Sequence, residues 1–476
     1  MITWAALAAL LLFSAATYVL GRRRLAGQSG ESHSRPGYHG AYVALWATVP
    51  ALLVLILHMA FAGRLEAALL RVDAPPAVTA MTAQQQQVFF DDVRAIARGA
   101  QPSETIYDPA QQAALDAEAA EARSLDQGLR LGALALAAVL AAGGFVLAWR
   151  RLSPAFRARN RVEGWLAGLL LICSVVAVLT TVGIVASLAY ESLRFFQAVS
   201  PLHFLFGTQW DPQIAIRADQ VAAEGAFGAV PLFVGTFLIM LIAMAVAAPI
   251  GLFSAIYLSE YASGWTRAVV KPLLEILAGV PTVVYGFFAA LTVGPLFRGF
   301  FNAIGERLVG GPFNELGLYL AQVQNQMALV AGAVMGIMLI PFVSSLSDDI
   351  LNAVPQSLRD GSLAMGATRS ETVKKVVLPA ALPGIVGALL LGVSRAIGET
   401  MIVTMAAGLQ ARTTFNPLDT VTTVTVQIVT LLTGDQEFDS PKTLSAFGLG
   451  LTLFVVTLAL NVVALRIVQK YREQYD

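Results

Sequence analysis

Long apolar runs alternate with short polar connectors along this chain. That spacing predicts helices that cross a lipid bilayer, since such a helix needs about 20 largely apolar residues. Nine runs qualify, near 2–20, 41–62, 129–149, 163–191, 230–258, 268–294, 327–347, 383–407 and 445–467. Several contain Gly and Pro, which membrane helices tolerate more readily than soluble ones. In the first, MITWAALAALLLFSAATYVLGRRR, the basic residues follow the apolar stretch and none precedes it. It therefore reads as a retained anchor and not as a signal peptide.

The connectors differ in character. Residues 63–128 are rich in Ala, Gln and Glu, with few large apolar side chains. This predicts one or two solvated helices with little core of their own, serving as a spacer or a partner surface. RRLSPAFRARNR (150–161) is a basic linker. It divides an N-terminal extension of about three spans, 1–161, from a block of six, 162–476. With the N-terminus outside and the spans alternating, about 18 of the 31 Lys and Arg fall in inside segments. The C-terminus, RIVQKYREQYD, then lies in the cytoplasm.

The most patterned connector is 348–382, DDILNAVPQSLRDGSLAMGATRSETVKKVVLPAAL. Pro355 is placed to open a short helix, and Ser357 with Asp360 has capping-box spacing. Gly366 is placed to end it in the left-handed conformation. Thr368 and Glu371 form a second capping box, and Pro379 and Pro383 mark a break before the next span. The expectation is two short helices at a fixed angle. Small residues on the first let another surface approach its backbone.

Composition sharpens the class. The chain is 57% hydrophobic and only 13% charged, against about a quarter charged in soluble domains. A net charge of zero gives no basic surface for nucleic acid. Cys173 is the only cysteine, which excludes an intrachain disulfide, and the four histidines lack ligand spacing, so neither a metal site nor a cofactor is expected. No GxxxxGK[ST], HExxH or GxSxG stretch occurs, which argues against an enzyme. Any ATP-driven step would need a nucleotide site on another subunit.

One span carries unexpected charge. In PGIVGALLLGVSRAIGETMIVTMAAG, Arg395 lies twelve residues beyond Pro383, about 18 Å along a helix and near the middle of a core about 30 Å thick. A charge there costs about 3 kcal/mol even on the gentler scales. Glu399, four residues on, would share its helix face. Two readings stand: a structural ion pair, with Glu275 nearby, or a route for an anion, which the arginine fork suits. Pro281 lies within the predicted 268–294 span and is either a packing kink or a gate hinge. Glu260 in YLSEYAS is either a solvated helix end or a partner contact. Trp210 is either an interface anchor or a contact for a soluble protein.

The stretch DGSLAMGATRSETVKKVVLP resembles the EAA loop of ABC-transporter permeases. Asp360, Gly361 and Ser362 stand at the Glu-Ala-Ala positions, departing in every residue, while Gly366 and Val376-Val377-Leu378-Pro379 match its spacing. FGAVPLFVGTFLIM, YLSEYAS, LEILAGVPTVVYGFF and SRAIGETMIVTM follow in order and are similar to phosphate-specific permeases of the PstC type. The resemblance covers roughly 162–470. It implies an all-α, polytopic membrane protein: an ABC-importer permease core of six transmembrane helices, plus about three extra N-terminal helices. It further implies a permease subunit of an ATP-driven phosphate importer in the bacterial inner membrane. The loop, through Asp360, Gly361, Ser362, Ala364, Gly366, Leu378 and Pro379, would couple it to separate ATPase subunits (PstB type). A partner permease (PstA type) and a periplasmic phosphate-binding protein (PstS type) would complete it. The rivals are a permease for phosphonate, sulfate or molybdate, an ion-coupled secondary transporter, and a membrane sensor built on 63–128.

Overall fold

The computed structural model describes residues 2–26, 33–72, 76–79, 81–97, 99–103, 105, 107–213, 225–433 and 440–471. The tail beyond 471, with Arg472 of the basic count, lies outside the described residues. Two compact units divide the chain, Met1–Leu179 and Thr180–Asp476.

The first unit holds α1 (Ile2–Ala26), α2 (Pro36–Val72), α3 (Pro76–Thr79), α4 (Ala83–Ala97), α5 (Pro109–Arg151) and the first half of α6 (Ala158–Ala198). Ala51, Ala137 and Ala141 are buried between α1, α2 and α5, where small side chains let helices approach closely in lipid. Helices α2 and α5 run well past the apolar runs that predicted them. They carry α3 and α4 on their ends, and Leu70, Val78, Phe89, Phe90, Val93 and Leu115 close a small core there. The expectation of little core for 63–128 is thus corrected. The adjacent Phe89 and Phe90 of α4 meet Leu115 from α5 in this core, a pairing that composition does not reveal. Beside this core the buried Asp92 carboxylate accepts from the Ser103 amide, the Ser103 hydroxyl and the Tyr107 hydroxyl, each at 2.7 Å.

The second unit continues α6 and adds α7 (Pro201–Phe206), β1 (Trp210–Asp211), β2 (Ala226–Phe227), α8 (Val230–Ile256), α9 (Gly264–Ala278), α10 (Thr282–Phe288), α11 (Gly294–Leu308) and α12 (Asn314–Leu320). Then come α13 (Ala328–Ala353), α14 (Gln356–Ala364), α15 (Arg369–Thr372), α16 (Leu378–Ile397), α17 (Met401–Ala406), α18 (Val424–Leu432) and α19 (Pro441–Tyr471). Single π turns extend α8 (Tyr257–Tyr261), join α10 to α11 (Ala289–Val293) and join α15 to α16 (Val373–Val377). Helices α8 and α13 pack at the centre. A Cβ on Gly336 would lie 2.7 Å from the Val246 Cβ, and one on Gly332 2.6 Å from the Ile242 Cβ. Around this contact Val330, Val334, Met335 and Leu339 are fully buried.

Nine helical segments among the described residues are long and apolar enough to cross a membrane. Seven lie where the apolar pattern put them; two are displaced. The sixth is Thr282–Leu308, not 268–294. Helix α9 stops at Gly279, and Pro281, extended at ψ 139°, is the residue from which α10 starts. Proline lacks the N–H that a helix interior needs but fits before a first turn. Pro281 is therefore a break between two helices and not a kink within one. The eighth runs Arg369–Ile397, with no break at Pro379 or Pro383. Pro379 falls in the first turn of α16, behind a π turn that loosens the preceding carbonyl ladder, and Pro383 is carried inside the helix.

Candidate functional site

Arg395 is on the last turn of α16, and the helix ends at Gly398. Glu399 therefore stands beyond the break and does not share a helix face with Arg395. Its carboxylate accepts from the Ile402 amide at 3.4 Å at the start of α17, and its carbonyl accepts from the Thr425 hydroxyl at 2.9 Å. Among the described residues Arg395 has no ion-pair partner. Its guanidinium lies over the Phe342 ring, 5.3 Å from the centroid, which offsets part of the cost of charge in an apolar setting. Phe342 is 14 residues from the start of α13 and 11 from its end, about 17–21 Å from either. Arg395 thus keeps its mid-helix level although its own helix begins earlier than the prolines suggest.

Arg395 opens on a cavity of about 270 Å³ whose walls include Lys271, Leu274, Glu275 and Ala278 of α9 and Pro341, Phe342, Ser344, Ser345 and Asp348 of α13. Glu275 shares this cavity, as the sequence anticipates, and Glu399 does not line it. The chemistry is amphoteric: the Arg395 guanidinium, the Lys271 ammonium and two serine hydroxyls share the lining with the carboxylates of Glu275 and Asp348. Such a lining offers an oxyanion a bidentate cation without holding it irreversibly.

At one end of the cavity Asp348 is 1% exposed. It accepts from Lys271 Nζ at 2.8 Å, from Arg267 Nη2 at 3.2 Å and from Asn352 Nδ2 at 3.0 Å. The carboxylate beside it pushes the Lys271 ammonium above the ordinary lysine range. Asp348 therefore belongs to α13, and the connector proper starts near Val354. A second cavity, of about 460 Å³, is lined by Arg298, Gln322, Gln324, Asn325 and Gln326, from α11 and the segment leading into α13. It has cationic and amide donors and no carboxylate.

The connector forms two short helices at a sharp turn. Pro355 precedes α14, and Gly366 takes φ +86°, as the pattern requires. Thr368 and Glu371 make the expected reciprocal cap, with the Thr368 amide donating to Glu371 at 3.0 Å. The Ser357–Asp360 box does not form: α14 already starts at Gln356, so Ser357 is inside its first turn, and Asp360 accepts from Gln356 Nε2 at 3.1 Å. Asp360, Gly361, Ala364 and Gly366 are exposed, with Leu363 and, at 89%, Met365 beside them. Ser362 turns inward, within 2.9 Å of the Thr372 hydroxyl. Leu378 is half-buried and Pro379 exposed on α16.

Two open readings close here. Glu260 is 8% exposed and paired with Arg359 at 3.0 Å, so it is neither solvated nor free for a partner. Trp210 is buried, and its indole N–H donates to Gln427 Oε1 at 3.1 Å; it anchors β1 to α18 and not to an interface. The Glu260–Arg359 and Lys271–Asp348 pairs span 99 and 77 residues, so no local spacing announces them. The only sequence signal was charge at the edge of an apolar run.

Residues 7–180 match a family described as "Phosphate ATP-binding cassette transporter". Residues 247–473 match "Binding-protein-dependent transport system inner membrane component". The Bacillus subtilis (strain 168) protein named "Probable ABC transporter permease protein YqgH" is 31% identical over 288 residues, 60% of this chain and 84% of that protein. "Phosphate transport system permease protein PstC 1" of Mycobacterium bovis is 32% identical over 341 residues, 67% of this chain and 94% of that one. A solved inward-facing MetNI methionine ABC transporter aligns over 52% of this chain and 95% of its own at 17% identity, with a TM-score of 0.33, too distant to add to the argument. With a helical core, a two-helix connector and similarity that spans 94% of such a permease and 67% of this chain, the chain belongs to the PstC-type family of binding-protein-dependent transport inner-membrane components, the permease subunits of ABC transporters.

Proposed function

We propose that this chain is the permease subunit of an ATP-driven phosphate importer in the bacterial inner membrane. The observation that carries the reading is Arg395: a guanidinium level with the middle of α13, without an ion-pair partner among the described residues, facing a cavity with serine hydroxyls. An unpaired intramembrane charge is functional by default, because its cost has no structural return. Phosphate is the oxyanion that the PstC relatives are named for.

In this reading the anion passes the amide-lined cavity at Arg298, reaches Arg395 and leaves past Lys271. Glu399 shapes the route by fixing the turn at which α16 ends. A PstA-type permease completes the pathway, and a PstS-type protein delivers phosphate. PstB-type ATPases dock on the exposed face formed by Asp360, Gly361, Ala364, Met365 and Gly366. Pro281 marks the hinge at which one cavity wall moves. The N-terminus faces the periplasm and the C-terminus the cytoplasm, following the basic residues.

Arg395→Gln tests the reading. Uptake of labelled phosphate by cells carrying the variant is expected to fall at least about tenfold, on the order of the ~1.4 kcal/mol or more that a lost charge-assisted bidentate contact represents. Normal uptake with normal complex assembly rejects the pathway role. Competition with sulfate and molybdate during uptake by the parent protein separates phosphate from other oxyanions.

A further inference from the structure

We propose that two buried ionic nodes on α13 link α14 to α9, and so carry a displacement of α14 to the cavity wall that Arg395 faces. The proposal rests on the permease reading but not on phosphate as the substrate.

The first node is Arg359 of α14. Its Nη2 and Nε donate to Glu260 Oε1 at 3.0 and 3.2 Å, its Nη1 to the Val354 carbonyl at 2.5 Å and its Nη2 to the Leu351 carbonyl at 2.6 Å. A planar guanidinium has five fixed donors, and here they are divided between two elements. Glu260 lies in the π turn that ends α8. Leu351 and Val354 lie at the C-terminal end of α13, where carbonyls lack helical partners and a cation is favoured. Both side chains are nearly enclosed, at 12% and 10% exposed, so neither partner swings freely.

The second node is Asp348, one turn before Leu351 on the same helix. It takes Lys271 and Arg267, which are four apart and so share one face of α9. Asn352 joins the nodes: its Nδ2 donates to Asp348, and its Oδ1 accepts from the Ser259 hydroxyl at 3.4 Å, next to Glu260. The continuous path is therefore α14, Arg359, the end of α13, Asp348 and α9. Helix α9 supplies Lys271, Leu274, Glu275 and Ala278 to the cavity and ends at the Gly279–Pro281 break, where it can turn without bending α10. A surface ion pair would not transmit such a shift, because water screens it. Here Arg359, Glu260 and Asp348 are at most 12% exposed, and both nodes are multidentate and meet on one helix. Arg359 and Asp348 act as positioning residues, since neither is required to touch the anion.

The test uses the whole complex, purified with its ATPase subunits and reconstituted in vesicles. The parent carries Cys173→Ser and Ala278→Cys, and the readouts are maleimide labelling at 278 with and without ATP, ATP hydrolysis, and phosphate moved per ATP. In Arg359→Gln the ATPase is expected to remain bound and active. The ATP-dependent change in labelling should disappear, and phosphate per ATP should fall about three- to tenfold, the range of coupling losses along such networks. Arg359→Lys, which keeps the charge but not the fork, should be intermediate. Asn352→Ala, a milder change, should weaken the labelling response without loss of assembly. Unchanged ATP-dependent labelling in Arg359→Gln and Asn352→Ala overturns the link. So does release of the ATPase by both Arg359 variants, which would make Arg359 a docking residue. Absence of phosphate uptake in the parent, with its labelling response intact, rejects the substrate and leaves the link to be judged by the variants.

Discussion

Single side chains explain where charge is tolerated in this chain. Arg395 is held by the Phe342 ring and a polar cavity, whereas Asp348 and Glu260 are neutralised by cations from other helices. Arg395→Lys keeps the charge and loses the planar fork, so uptake is expected to fall while folding is preserved. Measurement of uptake beside thermal unfolding in detergent checks this. Removing Asp348 has the opposite signature. Asp348→Ala leaves Arg267 and Lys271 facing an emptied site, and stability should fall by about 3 kcal/mol, the low end for a broken buried pair because both cations are partly solvated. Asp92 gives a pH dependence. Burial raises its pKa, but the bonds from Ser103 and Tyr107 outweigh this and hold the carboxyl below its ordinary range. Its contribution is therefore present above about pH 4 and lost as pH falls through the lowered value. Burial and the neighbouring Asp92 push Tyr107 up to about 12, so its contribution is lost as pH rises from about 10 towards that value. Proteolysis of the 99–107 segment across pH, with Asp92→Asn as the control, reads both effects.

Whole elements are governed by close approach and by where helices stop. Helices α8 and α13 meet through Gly251, Gly332 and Gly336 because lipid offers no hydrophobic drive to bring helices together. Gly336→Leu must displace Val246 and the Ala243 carbonyl, and should destabilise the protein by about 1–3 kcal/mol or more. A lowered unfolding temperature in detergent is the check. The apolar pattern located nearly every span but misjudged two ends, near Pro281 and Pro383. Both errors share a cause: a proline reads the same in sequence whether it opens a helix, interrupts one or rides on a π turn. Capping chemistry was more legible. Gly366 and the Thr368–Glu371 box were readable because each acts within four residues.

At the scale of the molecule, the extension and the core are separate compact units, and the first match ends at residue 180, beside the boundary at Leu179. The small core on the ends of α2 and α5 is self-contained. Replacing residues 73–108 by a short linker is therefore expected to leave phosphate uptake within about twofold of the parent, a surface-level effect. Loss of uptake with an intact complex would instead assign α3 and α4 a part in transport or sensing.

The sequence by itself determined that this chain crosses a membrane many times, that it carries a two-helix connector, and that an arginine sits inside a span. Those properties follow from hydropathy, local turn chemistry and one-dimensional spacing, which act over a few residues. Only the tertiary structure decided what each charge meets. It parted Glu399 from Arg395 at a glycine, joined Glu260 to Arg359 and Asp348 to Lys271 across scores of residues, and assembled a cavity from α9, α13 and Arg395 of α16. Partners so distant along the chain are selected by packing and by the low-dielectric need to neutralise buried charge, and no local pattern encodes that choice.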